Sequence, residues 1–162
     1  MATMTSSHTA KVTLPADDQI LITREFAAPR RLVYKAFTTP ELIRRWWHAK
    51  RGEVTVADVD LRVGGTWRFA MQTPEGFEVA FNGEFREIVP NERIVQTEMY
   101  EGAPGEPAIN TTTFTEAGGR TVVEVLLQLP NKEARDAVIA SGMEEGLQDA
   151  YDLLEEVAVS LA

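Results

Sequence analysis

The chain contains no cysteine. Disulfides, thiolate zinc sites and cysteine nucleophiles are therefore excluded, and a reducing, cytoplasmic setting is expected. Histidine is scarce: His8 and His48 are the only two. With no HExxH-like spacing, no metal site is expected. Ser6, Ser7, Ser141 and Ser160 lie outside any nucleophile-elbow pattern, which argues against a serine hydrolase. No Rossmann or P-loop fingerprint occurs, so no cofactor is expected. No apolar run approaches the length of a bilayer span. The opening "MATMTSSHTAKV" lacks a charged segment followed by an apolar one, so secretion by that route is not expected. Basic charge is also short, with 16 Lys and Arg against 25 Asp and Glu for a net charge of −9. A field of that sign repels phosphate backbones and anionic lipid, so neither nucleic acid nor membrane is an expected partner.

What remains is a chain of 162 residues, 44% hydrophobic, without repeats or low-complexity tracts. That is one domain with enough length to bury a core. Residues 1–16 read as a flexible polar tail and 17–162 as the domain. "QILITREF" reads as a strand in which Ile20, Ile22 and Arg24 alternate with Leu21, Thr23 and Glu25. Pro29 opens a short helix carrying Leu32, Val33, Ala36 and Phe37. Thr39 and Pro40 look like the cap and first residue of a second, carrying Leu42, Ile43, Trp46 and Trp47. Both sets have the spacing i, i+1, i+4, i+5, an apolar stripe wide enough to face a core. The tryptophans then point inward, while Glu41, Arg44 and Arg45 point away.

From residue 54 to 129 the period becomes two. Turn signals at Thr73–Gly76, Pro90–Arg93, Gly102–Gly105 and Gly118–Gly119 divide an antiparallel meander. A tight turn at Gly118–Gly119 places Phe114 opposite Val123 and Thr112 opposite Val125. A register pairing Phe69 with Phe81 also pairs Met71 with Val79 and Trp67 with Gly83, giving one apolar face. Thr113 and Glu124 fall on the other face. After Asn131, a plausible N-cap, the chain turns helical, with a break expected at Ser141–Gly142. Met143, Leu147, Ala150, Tyr151, Leu154, Val157, Ala158 and Leu161 form the apolar stripe of a long last helix. Glu144, Glu145, Gln148, Asp149, Asp152, Glu155 and Glu156 lie opposite and read as a solvated surface. Gly142 and Gly146 interrupt this helix, either for close helix–sheet approach or to leave space beside Met143.

Strand, two short helices, an antiparallel meander and a long helix make an α+β domain in which sheet and helix cover each other. This order resembles the helix-grip fold of the START-like, or SRPBCC, superfamily. "REFAAPRRLVYKAFTTPELIRRWW", "GEFREIVPNERIV", "TTTFTEAGGRTVVEV" and "SGMEEGLQDAYDLLEE" are similar to the bacterial homologues of the heat-shock-chaperone ATPase activator. His48 departs from the family pattern, in which a small residue and proline commonly follow the tryptophans. The resemblance implies a curved sheet of about seven strands around the last helix. It also implies a cavity between them for a lipid, polyketide or similar hydrophobic molecule.

Cavity residues expected on this basis are Trp46, Trp47, Trp67, Phe69, Met71, Phe81 and Phe85. Met99, Asn110, Thr112, Phe114, Met143, Leu147 and Tyr151 complete the set. Asn110 and Thr112 would act as hydrogen-bond handles, and Tyr151 either as a handle or as a core tyrosine. For acid–base chemistry Glu87 shares parity with Phe85 and points inward unless a bulge near Pro90 re-aims it, whereas Glu98 and Glu124 are expected on the opposite face. The leading expectation is binding of a hydrophobic small molecule. A cyclase- or aromatase-like enzyme and a protein-interaction module, such as a chaperone cofactor or a homodimer, are the alternatives.

Overall fold

The computed structural model describes residues 9–162. The tail expected at the N-terminus, and His8 within it, lies for residues 1–8 outside the described residues. Its far end is ordered: Lys11–Thr13 forms strand β1, paired antiparallel with β2, Gln19–Phe26. Two short helices follow, α1 at Arg30–Thr38 and α2 at Pro40–Ile43. Six further strands are β3 (Glu53–Val59), β4 (Thr66–Gln72), β5 (Glu78–Val89), β6 (Arg93–Tyr100), β7 (Ala108–Ala117) and β8 (Arg120–Gln128). Helices α3 (Lys132–Ala140) and α4 (Met143–Ser160) close the chain. The eight strands form one curved antiparallel sheet in the order β1-β2-β8-β7-β6-β5-β4-β3. The fold is the expected helix-grip α+β architecture, with one more strand than anticipated because β1 extends the edge.

The registers follow from the apolar alternation. Phe114 pairs with Val123 and Thr112 with Val125. Phe69 pairs with Phe81, Met71 with Val79 and Trp67 with Gly83. A slip of one residue would turn these side chains to water, so burial itself fixes the pairing. On β2 the inner face is Ile20, Ile22, Arg24 and Phe26, all buried. Asn131 caps α3 by accepting a 2.8 Å bond from the Ala134 amide.

The tryptophan segment leaves the α-helix at Ile43 and continues in tight turns, with the Trp46 and Trp47 amides bonding to the Ile43 carbonyl at 3.2 and 3.0 Å. The apolar stripe persists through the turns. Trp46 is buried and its indole Nε1 donates to the Ala36 carbonyl at 2.9 Å. It thereby satisfies one of the carbonyls that the end of α1 leaves without a helical partner. Arg44 and Arg45 are exposed, as their spacing implied. After His48, whose Nδ1 accepts from the Lys50 amide at 3.0 Å, the chain reverses through Ala49 and Lys50 at φ 52° and 62°.

Helix α4 is held by polar bonds as well as by its apolar stripe. Gln148 exchanges two bonds with the Ala10 backbone, at 2.9 and 2.8 Å. Asp149 meets Arg51 at 2.8 Å, Asp152 meets Arg24 at 2.9 Å, and Glu155 accepts from the Ala27 amide at 2.8 Å. The acidic face therefore differs from the solvated surface its charges suggested. Glu144, Glu145 and Glu156 are exposed, but the other four residues dock the helix. Gly142 breaks α3 from α4 at φ 82°, a left-handed conformation that glycine adopts without strain. A Cβ at Gly142 or Gly146 would have nothing within 4 Å, so close helix–sheet approach does not explain either glycine.

Candidate functional site

The inner face of the sheet is apolar at both ends and polar in the middle. On β6 the residues facing α4 are Ile94, Gln96 and Glu98, paired across β7 with Thr112, Asn110 and Ala108. Asn110, Thr112 and Ala108 are buried. Glu98 therefore lies on the inner face, not the outer one expected for it. The reason is visible in "IVQTEM". Its alternate residues Val95, Thr97 and Met99 are the more apolar set, so pattern alone turns the strand the wrong way round. Met99, expected in the cavity, belongs with Val95 to the outer face, beside its partner Asn82.

Glu87 takes the bulged alternative and turns outward. A bulge shifts the β5–β6 register between Phe85 and Glu87, and a bulge re-aims the side chains that follow it. Phe85 stays inside, while Glu87 is exposed and lies 3.3 Å from Arg93. Glu124 is exposed on the outer face, opposite Thr113 and Thr23.

The other expected residues separate into packed and half-open groups. Trp46, Trp67, Phe85, Phe114 and Tyr151 are buried. Trp67 lies along Gly83 and its Nε1 donates to the Thr97 carbonyl at 3.1 Å. The Glu84 amide takes the Thr97 Oγ1 at 2.9 Å instead of a carbonyl, and the β5–β6 ladder is interrupted there. Trp47, Phe69, Phe81, Met143 and Leu147 pack against the core yet keep accessible surface, and Met71 is half-buried near the end of β4. Trp47 meets Phe69 and Phe81 edge-on at 5.7 and 5.9 Å. Gln96 and Glu98 are half-buried although they face the covering helix. These inward-facing side chains are therefore not completely covered.

Its polar groups have distinct states. Burial pushes the Glu98 carboxyl above the usual carboxylate range, with hydrogen bonding by the Asn110 side chain acting in the opposite direction. The Tyr151 hydroxyl is raised by burial first and by the neighbouring Glu98 second, with Arg24 opposing. Asn110 is 8% exposed, and its Oδ1 has no hydrogen-bond partner. Buried polar atoms are nearly always paired, so this orphaned acceptor marks a place where a ligand or water belongs. Arg24, 1% exposed, is the one cation on the inner face of the described strands. It is occupied by Asp152 at 2.9 Å and Glu155 at 3.6 Å and sits 4.7 Å over the Phe26 ring. No described group of three His, Asp or Glu residues is arranged to hold a metal ion.

Two depressions on the outside are open to solvent. One lies between Arg30, Glu92, Arg93 and Glu116; the other lies between the 50–53 loop and the 72–75 turn. Neither contains the inner polar groups. No described helix is long and apolar enough to cross a membrane.

Comparison with known proteins gives the same fold. A Rhodobacter sphaeroides protein solved by crystallography matches with a TM-score of 0.88 and 25% identity, over 94% of this chain and 99% of that one. A Mycobacterium smegmatis protein matches with a TM-score of 0.81 and 26% identity, over 91% of this chain and 94% of that one. A solution structure of an Aeromonas hydrophila activator-like protein, 21% identical over 87% of this chain and 93% of that one, shares the fold at a TM-score of 0.66. No functionally curated protein matches the sequence. The family model described as "Activator of Hsp90 ATPase homolog 1-like protein" matches residues 27–158, and the chain belongs to that family.

Proposed function

We propose that this protein binds a hydrophobic small molecule, such as a lipid or polyketide, between the sheet and α4. The observation that carries this reading is the orphaned Asn110 Oδ1 beside half-buried Glu98. Apolar walls with a few convergent polar groups are the usual make-up of a small-molecule site. Trp47, Phe69 and Phe81 supply the apolar wall, and Gln96, Glu98, Asn110 and Tyr151 the polar one. The open space beside Gly146 supports the same reading.

The test is a panel of fatty acids, fatty alcohols and fused-ring aromatics, read by melting temperature and tryptophan fluorescence. A dose-dependent rise in melting temperature with a fluorescence change on the same concentration scale is expected. A panel that moves neither signal rejects the reading.

A second reading rests on Glu98 alone. A carboxyl raised by burial in an apolar hollow is suited to proton transfer. Cyclase-like activity would give product that accumulates with time and disappears in Glu98→Gln. Binding without turnover favours the first reading.

A further inference from the structure

The hollow's polar wall says which ligand head it suits, if the binding reading above holds. Its groups come from three elements: Gln96 and Glu98 on β6, Asn110 on β7 and Tyr151 on α4. Asn110 Oδ1 is an acceptor without a donor. The Tyr151 hydroxyl makes no hydrogen bond with another described residue, and a neutral phenol can both donate and accept. The Glu98 carboxyl, which burial pushes toward its neutral form, offers an acceptor oxygen in either state and an O–H when protonated.

Positive charge is missing from this wall. Arg24 is the one cation on the inner face of the described strands; Asp152, Glu155 and the Glu25 carbonyl take its two terminal nitrogens, and only its buried Nε is left without a partner. Arg51, beside the tryptophan segment, is bound to Asp149. A carboxylate or phosphate head brought to Asn110 would lose its water and find no cation but Arg24, whose charge Asp152 and Glu155 already match, beside a carboxyl that would itself resist ionising. Desolvation of an unpaired charge is among the largest penalties in a protein interior. A hydroxyl carries no such penalty. It can donate to Asn110 Oδ1 and accept from Glu98 or Tyr151, which pairs the orphaned atom.

We propose that Glu98, Asn110 and Tyr151 form a cradle that selects a hydrophobic ligand with an uncharged hydroxyl head and rejects the carboxylate of the same skeleton.

The experiment titrates the full chain at neutral pH with two matched pairs, naphthol against naphthoate and dodecanol against dodecanoate. Dodecylamine is the cationic control. Calorimetry and thermal shift supply the readouts. In each pair the hydroxyl ligand is expected to bind at least about tenfold more tightly than the carboxylate. Asn110→Ala should erase most of that difference by weakening the hydroxyl ligand. Glu98→Gln, which keeps a donor and an acceptor in the same shape, should preserve it. Equal or tighter binding of the carboxylate in either pair overturns the inference and leaves hydrophobic binding intact. So does tighter binding of dodecylamine than of dodecanol, because Glu98 would then act as an anion. If no ligand moves either readout, the binding reading falls and this inference falls with it.

Discussion

Arg24 Nη2 lies 2.9 Å from Asp152 Oδ1, a bond from the first long strand to the last helix across 128 residues of sequence. The arginine side chain is fully buried, Asp152 is 44% exposed and Glu155, the second carboxylate, is 11% exposed. The two ends of this bond should therefore respond differently. Arg24→Met removes the buried cation that Asp152 and Glu155 share and is expected to cost about 3–5 kcal/mol. Asp152→Asn removes the half-exposed partner and should cost about 1 kcal/mol or less. Urea unfolding of both variants checks the asymmetry.

The paired tryptophans should also separate by experiment. Trp46→Phe takes a buried donor from the Ala36 carbonyl and is expected to cost about 1–3 kcal/mol. Trp47→Phe keeps an aromatic edge against Phe69 and Phe81 and should cost less. In the presence of a ligand that raises the wild-type melting temperature, Trp47→Phe should retain the thermal shift and lose most of the fluorescence change. A full fluorescence response in Trp47→Phe would place the ligand against another indole.

Glu98 gives stability a pH dependence. Its folded pKa is raised by burial, so the unfolded chain gives up this proton first. Below the unfolded carboxyl range, about 4.3, the group is neutral in both states and costs nothing. As pH rises from there through the folded pKa, the folded state loses stability relative to the unfolded. Glu98→Gln should therefore raise the melting temperature at neutral pH, with a gain that shrinks toward acid. The outer-face Glu101 has the opposite sign. The Arg68 and Asn82 hydrogen bonds lower it to about 2, so its contribution is present above the unfolded range and fades as pH falls through about 2. Melting curves of Glu98→Gln and Glu101→Gln across pH distinguish the two.

Three glycines should respond in three ways. A Cβ at Gly83 would stand 1.8 Å from the Thr97 carbonyl oxygen and 2.6 Å from Trp67 Nε1. Gly83→Ala should cost about 3 kcal/mol or more, because backbone has to move. Gly142→Ala meets open space but strains at φ 82°, and a loss of about 1 kcal/mol is expected. Gly146→Ala also meets open space, now inside a helix, and should gain about 1 kcal/mol. Denaturant midpoints order the three.

Much of the architecture was legible because burial and periodicity are coupled. The 67–83, 69–81, 114–123 and 112–125 pairs all follow from placing apolar residues on one face. The stripe of α4 and the Asn131 cap were equally readable. The site was less so. Asn110, Thr112 and Tyr151 could be placed inward from their neighbours, but Glu98 and Met99 on β6 were assigned to the wrong faces. A rule that sends polar residues outward fails where a protein keeps polar groups inside, and such places are where functional sites concentrate.

The sequence by itself determined the order of elements from β2 onward, most of the apolar faces, the apolar stripe that carries the tryptophans, and the family. These depend on local spacing, which survives without knowledge of distant partners. Tertiary structure alone decided that Glu98 points inward, which way Glu87 turns at the bulge, and that Asp149, Asp152 and Glu155 of α4 make docking bonds. Each depends on what lies opposite across the sheet or under the helix. The reason is physical: the raised pKa of Glu98 and the unpaired Asn110 Oδ1 reflect burial beneath a helix that enters the chain more than thirty residues later.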